Sequence, residues 1–248
     1  MRKCVGIAFA IFLLAIMSVE AFTVDELIEK NIQAKGGIEK IRAIQSIKES
    51  GKMRIGDEGS FIEMDYVQLS KRPAMLRVER SFQGLTAVTA YDGADAWRVQ
   101  PFRGRKDPEK ISADDLKALQ LAADIDGPLV DYKIKGHKVE YLGTEDVDGT
   151  DAHKLKITLK NGDVRYVYLD PDYFLEIRVI DHTRIRGVEE EDETDLGDYE
   201  QVNGVYVPFS IESGDKGQPK TVKVTIEKVE VNTDINDSIF HFPGGKGQ

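Results

Sequence analysis

The stretch AHKLKITLKNGDVRYVYLDPDYFLEIRVI, residues 152–180, decides the fold. Leu155, Ile157 and Leu159 alternate with polar residues at a period of two, the signature of a strand with one buried face. Asn161-Gly162 follows, a pair that supplies the positive φ angles of a tight hairpin turn. A second run, 163–169, ends at Asp170-Pro171-Asp172, another turn signal. A third run, 173–181, places Tyr173, Leu175, Ile177 and Val179 on one parity. Three strands joined by short turns predict an antiparallel meander.

The same grammar extends in both directions. Turn signals recur at Gly56-Asp57-Glu58-Gly59, Gln83-Gly84, Asp92-Gly93, Asp148-Gly149 and Asn203-Gly204. They separate strands predicted at 46–56, 60–70, 74–82, 84–91, 95–99, 137–145, 152–160, 163–169, 173–181, 187–200, 205–213 and 220–230. Two helices interrupt the pattern. Thr23 and Glu26 have capping-box spacing, and Val24, Leu27, Ile28, Ile32, Ile38 and Ile41 recur at roughly helical intervals, with Gly36-Gly37 breaking or kinking the run. Ser112, followed by two acids and the apolar Leu116, Leu119 and Leu121, starts a mid-chain helix. Loops are predicted on either side of it, at Pro101–Lys110 and Asp124–Lys135. The fold class is therefore mainly β within α+β. One large curved antiparallel sheet of about a dozen strands is accompanied by an N-terminal and a mid-chain helix.

Arg2 and Lys3, the apolar run Cys4–Met17 and the small residues before Ala21 have the form of a secretory signal peptide cut after Ala21. Residues 22–248 then form a single exported domain, with no further apolar run long enough to span a membrane. Removal of the leader takes away Cys4, the only cysteine, and with it any disulfide or thiolate chemistry. The formal net charge of −10 opposes nucleic-acid binding and stable attachment to an anionic membrane, both of which need clustered Lys and Arg.

A search for catalysis finds no constellation. His137, His153, His182 and His241 are scattered without metal-ligand spacing. Asp146–Asp151 resembles the start of a calcium loop, but Asp151 and Ile157 stand where glycine and glutamate are needed, so it reads as a hairpin turn. Gly244–Gly247 lacks the strand–loop–helix context of a phosphate loop. The acidic run Glu189–Asp195 reads as a solvated edge. No enzyme activity, cofactor or metal is expected. The alternation of Leu76, Val78 and Phe82 with the strands above implies an apolar sheet face that two helices must cover. Either a cavity for an apolar ligand or a fully packed core satisfies that pattern.

Ser70-Lys71-Arg72-Pro73-Ala74-Met75-Leu76, Tyr91-Asp92-Gly93, Trp97, Pro101-Phe102 and the closing Phe240-His241-Phe242-Pro243, in that order, resemble the LolA-type periplasmic lipoprotein carriers. The runs Tyr166–Pro171 and Tyr199–Pro208 resemble the broader outer-membrane lipoprotein-sorting relatives. The resemblance implies an unclosed β-barrel with a helical lid over an apolar cavity. It implies a periplasmic carrier that takes lipoprotein acyl chains, or another lipid, from an inner-membrane exporter to an outer-membrane acceptor. By position Arg72 is the residue that links barrel to lid, and Leu76, Val78, Trp97, Phe102, Leu116 and Leu119 line cavity or lid. Arg80 shares the parity of Leu76 and Val78, a charge not expected in an apolar cavity. Two alternatives remain: a lipid-sensing binding module of the same fold that acts through a partner protein, and an envelope hydrolase or glycan-binding protein.

Overall fold

The computed structural model describes residues 22–57, 59–185 and 187–244. The expected leader and its cleavage at Ala21 lie outside the described residues. Thr23 caps the first helix, α1 (Val24–Ala34). Its Oγ1 accepts the Glu26 N–H at 3.3 Å, and the Glu26 carboxylate accepts the Thr23 N–H at 2.7 Å. Two of the helix's orphan donors are thus satisfied, as the spacing predicts. Leu27, Ile28, Asn31 and Ile32 form its buried face. Gly36 and Gly37, at φ +119° and +93°, end α1 and start α2 (Ile38–Ala43). A Cβ at Gly36 would lie 2.1 Å from the Gly204 carbonyl oxygen, so only glycine permits this approach of the helix pair to the sheet.

The sheet strands are β1 (Ser46–Asp57), β2 (Ser60–Lys71), β3 (Met75–Phe82), β4 (Leu85–Tyr91), β5 (Ala96–Gln100) and β6 (Arg105–Lys110). Then follow α3 (Ala113–Ala122), the one-turn α4 (Tyr132–Lys135), β7 (Lys138–Val147), β8 (Thr150–Thr158), β9 (Val164–Leu169) and β10 (Glu176–Ile185). The sheet ends with β11 (Val188–Val202), β12 (Val205–Asp215) and β13 (Val222–Val231). All thirteen strands form one sheet in the order β6-β5-β4-β3-β2-β1-β13-β12-β11-β10-β9-β8-β7. Each chain half is a meander, and the two are joined where β1 pairs with β13. Strands β6 and β7 are the two edges, so the barrel is unclosed.

Three expectations are corrected. Residues 105–110 are a strand, not a loop; RKDPEK is wholly polar and carries Pro108, a composition tolerated only at an edge. Likewise α4 lies within the stretch read as a loop over 124–135. The parity assigned to 173–179 also fails. The β9–β10 register slips between Glu176 and Arg178, a bulge that turns Ile177 away from Val179. Val179 joins the core under the helices, Ile177 packs on the opposite face with Tyr168 and Ile180, and Tyr173 is exposed in the turn.

The main core sits where α1 and α2 lie on strands β8–β10. Leu27, Ile28, Ile32, Ile41 and Ile44 meet Leu155, Ile157, Val167, Leu169 and Val179. Leu129 and Val130, from the chain after α3, complete it. The face that carries the helices is the concave one.

Candidate functional site

Strand register places the concave face in rows. One row runs Ile47, Ser70, Leu76, Tyr91, Ala96 across β1 to β5. The next runs Glu49, Gln68, Val78, Thr89, and the next Gly51, Tyr66, Arg80, Ala87. Helix α3 lies over the first row. Ser112 caps it, its Oγ accepting the Asp115 N–H at 3.4 Å. Leu116, Leu119 and Ala123 seat on Leu76, Val78, Tyr91 and Ala96. The far side of α3 is loosely held. Leu121 reaches the main core, but a cleft of about 430 Å³ separates Lys117, Gln120, Leu121 and Asp124 from His137 and the Leu159–Asn161 turn. A second space of about 240 Å³ opens below it, toward Arg165, Asp181 and Thr183. The helix is a plug fitted tightly on one side and poorly on the other.

Arg72 ties this plug to the rest of the fold. Its Nη1 and Nη2 donate to both oxygens of Asp126, in the chain just after α3, at 2.8 and 2.5 Å. Its Nε and Nη2 also donate to the carbonyls of Ile44 and Ile41, at 2.6 and 3.1 Å. One guanidinium thereby joins the end of β2, the C-terminus of α2 and the chain that follows α3. The hydrogen bond from Arg72 holds the Asp126 carboxyl below its ordinary range, and Asp126 raises the guanidinium in turn. The side chains are only 22% and 15% exposed, so the bidentate pair is worth more than a surface ion pair.

Below the lid the concave face continues as an apolar strip, Met53, Val224, Ile226 and Ile211, that touches Val78 and Tyr66. Toward the open end Ile55, Ile62 and Leu85 are exposed. Polar groups interrupt the strip. The Tyr66 hydroxyl donates to Gln68 Oε1 at 2.9 Å, and Gln68 Nε2 donates to Glu49 Oε2 at 2.8 Å. Burial pushes the Glu49 carboxyl up to about 7, opposed only by the Gln68 bond. Burial also lowers the Arg80 guanidinium, whose Nε has no hydrogen-bond partner.

Of the residues singled out from sequence, Leu76, Val78, Leu116 and Leu119 come together at the lid seat. Trp97 does not. It pairs with Ala90, on the opposite face from Leu76 and Tyr91, and is covered there by the C-terminal segment. Its Nε1 donates to the Phe240 carbonyl at 2.8 Å, and Phe242 meets it edge-on. Phe102 is 41% exposed in the turn Pro101–Arg103, away from the lid seat. Sequence reading missed Asp126, and also Glu49, Gln68 and Tyr66; only the parity of Arg80 hinted that this face is not wholly apolar. Each histidine has a separate neighbour: Tyr141 for His153, the Lys160 N–H for His137, Glu191 for His182 and Asp92 for His241. No group of His, Cys, Asp and Glu among the described residues is arranged to hold a metal ion. No helix among them is long and apolar enough to cross a membrane.

No protein-family model matches the sequence, and no curated protein matches it. Solved structures do match. A LolA-superfamily protein from Nitrosomonas europaea aligns with a TM-score of 0.61 at 14% identity, over 89% of this chain and 98% of its own. A putative outer-membrane lipoprotein-sorting protein domain from Vibrio parahaemolyticus aligns with a TM-score of 0.58 at 14% identity, over 87% and 94%. A DUF1329-family protein from Desulfovibrio piger aligns with a TM-score of 0.57 at 14% identity, over 88% and 97%. The unclosed thirteen-stranded sheet with its concave face under helices is thus a LolA-like fold, a scaffold shared with lipoprotein-sorting proteins.

Proposed function

We propose that residues 22–248 form a periplasmic carrier. It binds the acyl chains of a lipoprotein, or another lipid, on its concave face and delivers them toward the outer membrane. The observation that carries this reading is α3: a helix whose Leu116 and Leu119 seat on an apolar face, flanked by clefts and tied down through one arginine.

The energetics favour a gate. A buried methylene is worth ~0.8 kcal/mol, so a chain with ~14 of them gains roughly 11 kcal/mol. Affinity of that size opposes hand-over to the next protein. A ligand that must first lift α3 loses the partial burial of Leu116 and Leu119, less than the ~1.5–3 kcal/mol that full burial of each is worth, together with the Arg72–Asp126 pair. Closure of the lid then helps expel the cargo. An inner-membrane exporter and an outer-membrane acceptor are the partners such a cycle needs.

Native mass spectrometry of the mature protein, purified from periplasm without detergent, tests the reading. A discrete bound lipid or lipoprotein mass is expected. Bare protein that also takes up no fluorescent acyl probe would overturn it. Arg72→Leu is expected to keep lipid capture while slowing transfer to the acceptor, read as cargo movement between purified partners; transfer at the wild-type rate would refute the gate. Leu76→Glu is expected to abolish capture of the same probe, because the new carboxylate faces the acyl chain.

A further inference from the structure

Arg80 is out of place on an apolar face. It stands on β3 between Val78, which touches the lid, and Phe82, near the open end. Register puts it directly opposite Tyr66 on β2 and Ala87 on β4. Its one hydrogen bond is a long one, from Nη2 to the Thr89 hydroxyl at 3.3 Å. Its Nε is buried and unsatisfied. Among the described residues no carboxylate is bonded to it, and Tyr66 stands directly opposite. Other concave-face arginines differ. Arg165 is paired bidentately with Asp181 at 2.7 Å, and Arg98 donates one bond from Nε to Glu109 at 2.7 Å.

Glu49 does not neutralise it. Glu49 is two strands away and one row nearer the lid, with Gln68 and Val78 in its own row. Its carboxylate is engaged by Gln68, which is engaged by Tyr66. That chain fixes the phenol beside Arg80 without consuming the guanidinium. A half-buried guanidinium whose buried Nε has no acceptor is costly unless an anion meets it. Beside it lies the apolar strip that runs from β3 across β2, β1 and β13 to Ile211 on β12; its Met53, Tyr66 and Val224 are buried, so a tail reaches it only by parting the side chains packed over it. Four strand spacings make that strip roughly 19 Å wide, enough for a long acyl chain laid across the strands.

We infer that Arg80 is a head-group site, and that the ligand of the concave face is an amphiphile with an anionic oxygen head (a carboxylate or a phosphate). Its head docks on the Arg80 guanidinium next to Tyr66, and its tail lies along Met53, Val224 and Ile211. This assignment rests on the carrier reading and narrows its ligand class.

The test uses the full mature chain and four probes: a fluorescent sixteen-carbon fatty acid, its methyl ester, a lysophosphatidic acid and the matching monoacylglycerol. Wild type is expected to prefer each anionic probe over its neutral partner by about tenfold or more, the scale of a charge-assisted hydrogen bond in a partly dry site. The stronger of the two preferences identifies the head as carboxylate or phosphate. Arg80→Met is expected to bring each preference to within about twofold while leaving the affinity for the methyl ester unchanged. Arg80→Lys keeps the charge and is expected to retain part of the preference, which guards against loss of fold. Equal binding of the acid and its ester by wild type, or a preference that survives Arg80→Met, overturns the inference and leaves the carrier reading standing. Failure of all four probes to bind overturns both.

Discussion

Strands β8–β10 and strands β1–β3 show the same two-residue alternation, yet they end in opposite conditions. On β8 the inward side chains Leu155 and Ile157 are wholly buried beneath α1 and α2, and no charge interrupts them. On β2 and β3 the inward side chains are Ser70, Gln68, Tyr66, Leu76, Val78 and Arg80. There the cover is one short helix, seated over the first row and reaching Val78 of the second. Where two helices are locked on by packing, the sheet face is simply core. Where a single helix rests across it, polar groups remain beyond the helix's reach. The first is uninterrupted core; the second keeps Gln68, Tyr66 and Arg80 among buried apolar side chains.

This contrast can be broken experimentally, and the largest effect belongs to the packed half. Leu155→Ala removes a fully buried side chain under two helices and is expected to cost about 3–4 kcal/mol in denaturant unfolding. It should leave the anionic-over-neutral probe preference unchanged. A loss below about 1 kcal/mol would mean that the half read as rigid core relaxes freely.

The second prediction belongs to the open half and depends on pH. The Glu49 carboxyl is raised from 4.5 to about 7 in the folded state. Between those values the folded protein keeps a proton that the unfolded chain has released. Stability therefore falls as pH rises through that window and stays low above it. Glu49→Gln removes the dependence. It is expected to stabilise the protein by up to about 3 kcal/mol near pH 8 and to change little near pH 4. Thermal unfolding across pH checks this, and equal shifts at both ends would show that Glu49 is not buried as a neutral acid.

The smallest effect tests the assignment of faces. Trp97→Phe deletes the bond to the Phe240 carbonyl and is expected to cost about 1–2 kcal/mol. Lipid capture should be untouched, because Trp97 lies on the far side of the sheet. Impaired capture with a native melting profile would return Trp97 to the cavity.

Most of the architecture was legible in the amino-acid sequence, for local reasons. The capping box at Thr23 and Glu26, the break at Gly36-Gly37 and the Asn-Gly and Asp-Gly turns act within a few residues. Each constrains its own backbone whatever surrounds it. Strands with one buried face likewise announce themselves by parity, and twelve of the thirteen were found that way. The thirteenth, RKDPEK at the edge, buries no face and so leaves no parity to read.

Tertiary structure alone decided the rest. A bulge at Ile177 reversed a parity that was regular in the sequence, because register is set by the neighbouring strand. Ala96 and Trp97 are adjacent and both apolar, and only the C-terminal segment on the outer face shows which of them faces inward. Asp126 is 54 residues from Arg72, and no local pattern joins them. Parity puts Arg80 on the inward face, but only the strands on either side show what stands beside it. A charge becomes a site through what is missing around it, and that follows from distant chain segments meeting in space.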